Sequence, residues 1–282
     1  MKKYLKLILN TLKYPLIYLA AQVVCGAIAG AITGIYYGIK YANEFSGDEL
    51  NNLLMEKING VIFPATFIAA VVCFFIYMLM LRNKEENLIK RCKFKKISFK
   101  NGIYIFFITT FLGFFSLSLI YYIERFFPSY SETSETIAGA YNSIFSVIII
   151  IALIPIFEEI LFRGLIFNEL RHSLNITLSI ILQAAIFGIF HGNPLQAIYT
   201  FIAGTVFCLV YYWTDSLYSS ILAHITYNLM GSLLIPILFS YTEKFVMIYF
   251  VLGLVLTLFT LNLFRKSINI EKEEGPYIST NY

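Results

Sequence analysis

The sequence predicts an all-α integral membrane protein, a single polytopic domain of eight transmembrane helices over residues 1–282. Three observations carry this. Of 282 residues, 59% are hydrophobic and only 13% charged, against about 25% charged in a soluble domain. Apolar runs long enough to cross a bilayer recur along the whole chain. Lysine and arginine concentrate in alternate connections, as they do where loops face a cytoplasm.

Taking about 20 apolar residues per crossing, the runs fall near residues 16–39, 61–81, 102–123, 143–170, 177–191, 195–213, 217–238 and 245–264. The first follows a lysine-rich start, as a signal peptide would. It is too long for a signal h-region of about 7 to 15 residues, so it is read as a retained helix. Gly26, Gly30, Gly34 and Gly38 recur at four-residue spacing within it. They form a smooth stripe for close helix packing, a face that would also serve a homodimer. The connections are short, and none holds a separate core. The end of the chain, 267–282, with Glu271, Glu273, Glu274 and Pro276, reads as a flexible tail.

Orientation follows from the basic residues. If the eight spans alternate, sixteen lysines and arginines fall on one side, half of them between Arg82 and Lys100. Four fall on the other: Lys40, Lys57, Arg125 and Lys244. Both termini are therefore expected in the cytoplasm, with the chain multi-pass in the cell membrane and lipid as its surroundings. The net charge of +4 is spent on orientation, and no nucleic-acid partner is expected. Cys25, Cys73, Cys92 and Cys208 are scattered without a CxxC pair, so neither a disulfide framework nor a thiolate zinc site is supported.

The functional reading begins where charge is costly. Within the fourth run lies Glu158-Glu159-Ile160-Leu161-Phe162-Arg163. Each such group costs about 2.5 to 3.5 kcal/mol at mid-span. Glu159 and Arg163 are four apart with the acid N-terminal, the better order for an ion pair; Glu158 is rotated about 100° from them. Phe187 and His191 share a face of the fifth run, and His224 and Asn228 a face of the seventh. His172 reads as a joint residue and Asn193-Pro194 as a turn. Taken singly, each polar group has an ordinary structural explanation. Together on three apolar helices they read as a buried site.

Two chemistries suit such a set. Glu158 with His191 can deprotonate a water. His224 and Asn228 can donate hydrogen bonds to a developing oxyanion, each worth about 3 to 4 kcal/mol in acyl-transfer sites. Glu159 and Arg163 would then support the turn. Alternatively, Glu158, His191 and His224 are the ligand types of a hydrolytic zinc site. There is no HExxH motif, so zinc stays open.

The ordered trio Glu158-Glu159-x-x-x-Arg163, Phe187-x-x-x-His191 and His224-x-x-x-Asn228, over about residues 143–236, resembles the signature of the CPBP intramembrane proteases. That family is also called Abi, CAAX prenyl endopeptidase type II, or lysostaphin-resistance-protein-A-like, and is often labelled metalloprotease. The resemblance implies a membrane-embedded endopeptidase. In it Glu158 and His191 activate water, His224 and Asn228 form the oxyanion site, and Glu159 and Arg163 support. Richness in Ile, Lys, Asn, Tyr and Phe is that of an AT-rich bacterial genome and argues against prenylated substrates. A bacterial peptide or membrane-protein substrate is expected, in bacteriocin immunity or peptide maturation. The competing classes are a non-catalytic scaffold or immunity protein, and an ion- or proton-coupled transporter using the polar groups as a relay. Straight helices would scatter Glu158, His191 and His224 in depth. Pro155 is accordingly expected to break the fourth helix, or several helices to tilt.

Overall fold

The structure, a computed structural model, describes residues 2–141 and 143–274. They form an all-α membrane protein, with no strand among the described residues. In chain order the helices are α1 (Lys2–Tyr41), α2 (Gly47–Gly60), α3 (Ile62–Leu81), α4 (Leu88–Cys92), α5 (Phe99–Ile123), α6 (Tyr130–Ala140), α7 (Ile144–Arg171), α8 (Ile176–Phe190), α9 (Pro194–Thr214), α10 (Leu217–Leu229), α11 (Ile235–Thr242) and α12 (Val246–Glu274).

Among the described residues six helical stretches are long and apolar enough to cross a membrane, against the eight runs expected. The difference has a physical origin at two places. α8, the fifth run, is only 15 residues long. The seventh and eighth runs lie in one nearly unbroken helical stretch of 53 residues, Leu217–Asn269. α12 continues to Glu274, so residues 267–274 extend a helix; the rest of the tail expected at 267–282 lies outside the described residues.

Short polar residues set the helix starts. The Glu49 carboxylate accepts the Ser46 backbone N–H at 3.0 Å, closing a capping box on α2. Asn87, Ser98 and Asn175 each accept a backbone N–H three residues on, opening α4, α5 and α8. Between α1 and α3, α2 returns along α1, and its Ile58 lies 3.9 Å from where a Cβ on Gly30 or Gly34 would stand. The same test at Gly26 and Gly38 meets nothing within 4 Å, so α2 covers half of the glycine stripe. Closer still is α12 against α5. A Cβ on Gly253 would come within 2.6 Å of the Phe115 backbone nitrogen, so only glycine allows this approach.

Two apolar clusters hold the helices together. One gathers Tyr14 and Tyr18 of α1, Cys73 and Tyr77 of α3, Phe157, Phe162 and Phe167 of α7, and Phe187 of α8. The other gathers Ile105, Ile108 and Leu112 of α5, Val206, Phe207 and Val210 of α9, Ala223 of α10 and Phe264 of α12. Outside, Leu16, Leu19, Val23, Ile28, Ile32 and Ile35 leave α1 a largely bare apolar face.

One end of the bundle is fastened by ions. Glu169, in the last turn of α7, accepts from Asn10 of α1 at 3.1 Å and pairs with Arg91 of α4 at 2.5 Å. Asp215 pairs with Lys93 and Lys95, each at 2.5 Å. Both Lys93 and Asp215 adopt left-handed backbone, at φ 56° and 51°. The Leu217 N–H donates to the Lys93 carbonyl at 3.0 Å. Burial raises the Asp215 pKa, but Lys93 and Lys95 outweigh it and hold the carboxyl below its usual 3.8.

Asp215→Asn should therefore lower stability by about 1 kcal/mol near neutral pH, read as a thermal shift in detergent, since asparagine tolerates the same backbone and only the charge is lost. A carboxylate with a depressed folded pKa contributes stability above its unfolded value and loses it on acidification. The gap between the two proteins should accordingly shrink as the pH falls below 3.8.

Candidate active site

Local backbone geometry positions the acids. α7 starts as an ordinary helix and widens to a π turn over Ile149–Leu153, where the Ile154 N–H donates to the Ile149 carbonyl, five residues back. In that register the next donor would serve Ile150, but the next residue is Pro155, which has no N–H. The orphaned Ile150 carbonyl accepts instead from Asn228 Nδ2 of α10, at 3.1 Å. A side chain on a neighbouring helix replaces the missing backbone donor. α7 consequently passes through Pro155 unbroken, contrary to the break expected there. A second π stretch, Ile160–Phe167, follows the acids. Such widened turns shift the facing of everything beyond them and are frequent at functional sites.

Between the two π stretches, Glu158 and Glu159 diverge. Glu159 points inward with no exposure, and its Oε1 accepts from Arg163 Nη1 at 2.8 Å. His224 Nδ1 meets the same oxygen at 2.8 Å. Arg163 Nη2 donates to the Gly204 carbonyl at 2.9 Å. Gly204 is what lets α9 come this close, because a Cβ there would stand 2.8 Å from the Phe187 ring. The guanidinium is flanked by the Phe187 and Phe207 rings, at 4.8 and 5.4 Å. Those two rings belong to the two different apolar clusters, so the polar network occupies their seam.

Glu158 is turned to the cavity and keeps a little exposure; its Oε2 is 3.7 Å from His224 Nε2. His224 thus stands between both glutamates. His191 Nδ1 faces the Phe187 carbonyl at 2.8 Å, and its ring meets the Phe187 ring edge-on at 4.8 Å. A carbonyl can only accept, so Nδ1 carries the proton and the neutral ring keeps a bare Nε2. Glu158, His191, His224 and Asn228 all line one cavity of about 540 Å³. No direct hydrogen bond joins Glu158 to His191; they share the space.

The supporting pair Glu159 and Arg163 stands as the spacing required, and the three helices do converge. Sequence reasoning missed the fourth, α9, which supplies Gly204 and Phe207; its signal was the lone glycine of that helix. Asn193, read as part of a turn, does more. Its Oδ1 accepts the Leu195 N–H at 3.0 Å, opening α9, and its Nδ2 donates to the Ser129 carbonyl at 3.0 Å and the Thr133 hydroxyl at 3.2 Å. Among the described residues no three His, Cys, Asp or Glu side chains stand close enough to hold a metal ion. Glu158, His191 and His224, the set considered for zinc, are not grouped closely enough to count as such a cluster, although each histidine keeps its Nε2 on the cavity side while Nδ1 is held by Glu159 or a carbonyl.

Two acids, an arginine and two histidines thus meet at the wall of one cavity, and comparison with known proteins bears on what such a cavity does. Residues 140–230 match the family described as "Type II CAAX prenyl endopeptidase Rce1-like". A Bacillus subtilis (strain 168) protein named "Putative membrane peptidase YdiL" is 27% identical over 164 residues, 57% of this chain and 67% of that protein. Both similarities support a membrane protease family of the CPBP, or CAAX protease, kind. No solved structure matches.

Asn228→Ala should cost about 1 to 3 kcal/mol, the penalty of a buried acceptor left without a donor. Pro155→Ala returns a backbone N–H to Ile150, so Asn228→Ala should cost much less in that background. Denaturation of the four proteins in detergent measures the coupling; equal costs in both backgrounds would remove the stand-in role of Asn228.

Proposed function

We propose that this chain is an intramembrane endopeptidase that hydrolyses a peptide bond in a membrane-associated peptide or membrane protein, using water activated by Glu158 and His191. The observation that carries the reading is the placement of His224, braced at Nδ1 by the Glu159–Arg163 pair and offering Nε2 beside Glu158 on the cavity wall.

In this mechanism Glu158, helped by the bare Nε2 of His191, takes a proton from a water in the cavity as its oxygen attacks the peptide carbonyl carbon. The carbonyl oxygen becomes an oxyanion. His224, protonated on both nitrogens in this role, donates from Nε2, and Asn228 donates the amide hydrogen not used on Ile150. When the carbon–nitrogen bond breaks, the proton held on Glu158 passes to the leaving amine. One water is consumed, and an acid and an amine are released. Glu159 and Arg163 do not touch the substrate; they position His224.

The chain is placed in the cell membrane with both termini cytoplasmic, and lipid covers its apolar outside. The ion-fastened end, where α1 begins and α7 ends, is the end rich in lysine and arginine, which supports that orientation. Bacteriocin immunity and peptide maturation are the settings proposed. No metal step is invoked, since the donor set does not close around an ion.

Glu158→Gln and His191→Ala, at matched expression in membranes, should each reduce cleavage of a candidate peptide by at least about a hundredfold. Full activity in both would leave a non-catalytic scaffold. Cleavage should survive 1,10-phenanthroline; loss with the chelator and recovery with zinc would restore the metal reading.

A further inference from the structure

The cavity that holds Glu158 reaches the surface beside the C-terminal half of α5. Its exposed lining residues are Tyr121 and Glu124 at the C-terminal end of α5, Ser134 and Ala138 of α6, and Pro236 of α11. α5 begins six residues beyond Lys93, at the lysine-rich end, and runs away from it. The mouth therefore lies at the opposite end, which the lysine and arginine asymmetry makes the non-cytoplasmic one.

Apart from the imidazolium that His224 forms in the proposed mechanism, the charges along this path are negative. Glu158 and Glu124 line the cavity, and among the described residues no lysine or arginine does. At the rim, Glu243 accepts from the Tyr121 hydroxyl at 2.8 Å. α6 turns Tyr130, Ser134, Ile137 and Ala138, at helical spacing, to the cavity. It leaves Glu132 and Glu135 exposed. The nearby cations lie outside the lining: Arg125 sits over the Phe126 ring at 4.8 Å and Lys244 over Phe245 at 5.1 Å. Arg163 is fully enclosed and bound to Glu159 and Gly204, so it offers nothing to an incoming carboxylate. Aromatic rings such as Tyr130, Tyr199 and Phe239 wall the way in. Such a passage suits apolar side chains and cations, which rings and carboxylates both attract, and repels acids.

We infer that the substrate is a positively charged peptide segment, bound away from its C-terminal carboxylate and admitted from the non-cytoplasmic side. This rests on the protease reading for the hydrolysis but not for the binding. The test uses His191→Ala, which keeps both lining carboxylates and should bind peptide without cutting it, in nanodiscs of neutral phosphatidylcholine. The probes are two peptides of equal length with a neutral fluorophore and the same Leu-Tyr centre, flanked by lysines in one and glutamates in the other. Empty nanodiscs serve as blanks.

The lysine peptide should bind about tenfold more tightly, with the margin shrinking in high salt. Adding Glu124→Gln should narrow the margin and Glu124→Lys should reverse it. Equal binding, or a margin indifferent to Glu124, would overturn the charge assignment. For the direction of access, Ser134→Cys in a Cys25→Ser background should react with a membrane-impermeant maleimide in intact cells. Reaction only after permeabilisation would overturn it. If His191→Ala binds the lysine peptide as expected but the unaltered protein never cuts it, the hydrolysis fails and this inference stands.

Discussion

The buried pair of Glu159 and Arg163 is the constraint around which the rest is arranged. Neither side chain is exposed, and each would be ruinous in an apolar interior alone. Their mutual bond does not exhaust them. Arg163 needs the Gly204 carbonyl, which fixes α9, and Glu159 takes His224, which fixes α10. Two charges four residues apart on one helix thus dictate the placement of two others. The aromatic rings on either side then exclude water and keep the pair in a medium where its attraction is strong.

What this arrangement leaves for chemistry is Glu158, one residue away and facing the other way. Its position depends on the π turn before it, and that turn depends on a bond from another helix. Proline removes a donor at the one place where the wide register has a carbonyl to serve, and Asn228 serves it. The same residue therefore has a place in the backbone and a place on the cavity wall, one amide hydrogen for each. His224 is divided in the same way, with one nitrogen for structure and one for the cavity. Polar groups are scarce in an apolar bundle, and several here have two tasks.

The all-α membrane class was legible because composition and run length leave little else. That these residues would meet was legible because charge within an apolar run must have a reason, and because helical spacing fixes which groups share a face. Glu159 with Arg163, and Phe187 with His191, needed nothing more. The π turns left no trace in composition: Ile149–Leu153 reads like any apolar stretch. Hence the expected break at Pro155 was replaced by a detour that only the partner helix makes visible. The contribution of α9 was hidden because a glycine carbonyl has no side chain to attract notice. The count of eight spans is left open where α8 is short and the last two runs follow one another with only a short turn at Glu243–Phe245 between them.

Asn193 joins two things usually thought of separately. It sits two residues after His191, opens α9, and holds the segment around Ser129 and Thr133 by its amide. The turn bearing the histidine and the start of α6, which lines the chamber, are thereby tied together by hydrogen bonds. A displacement of α6 at the cavity mouth would therefore act on the turn that carries the imidazole.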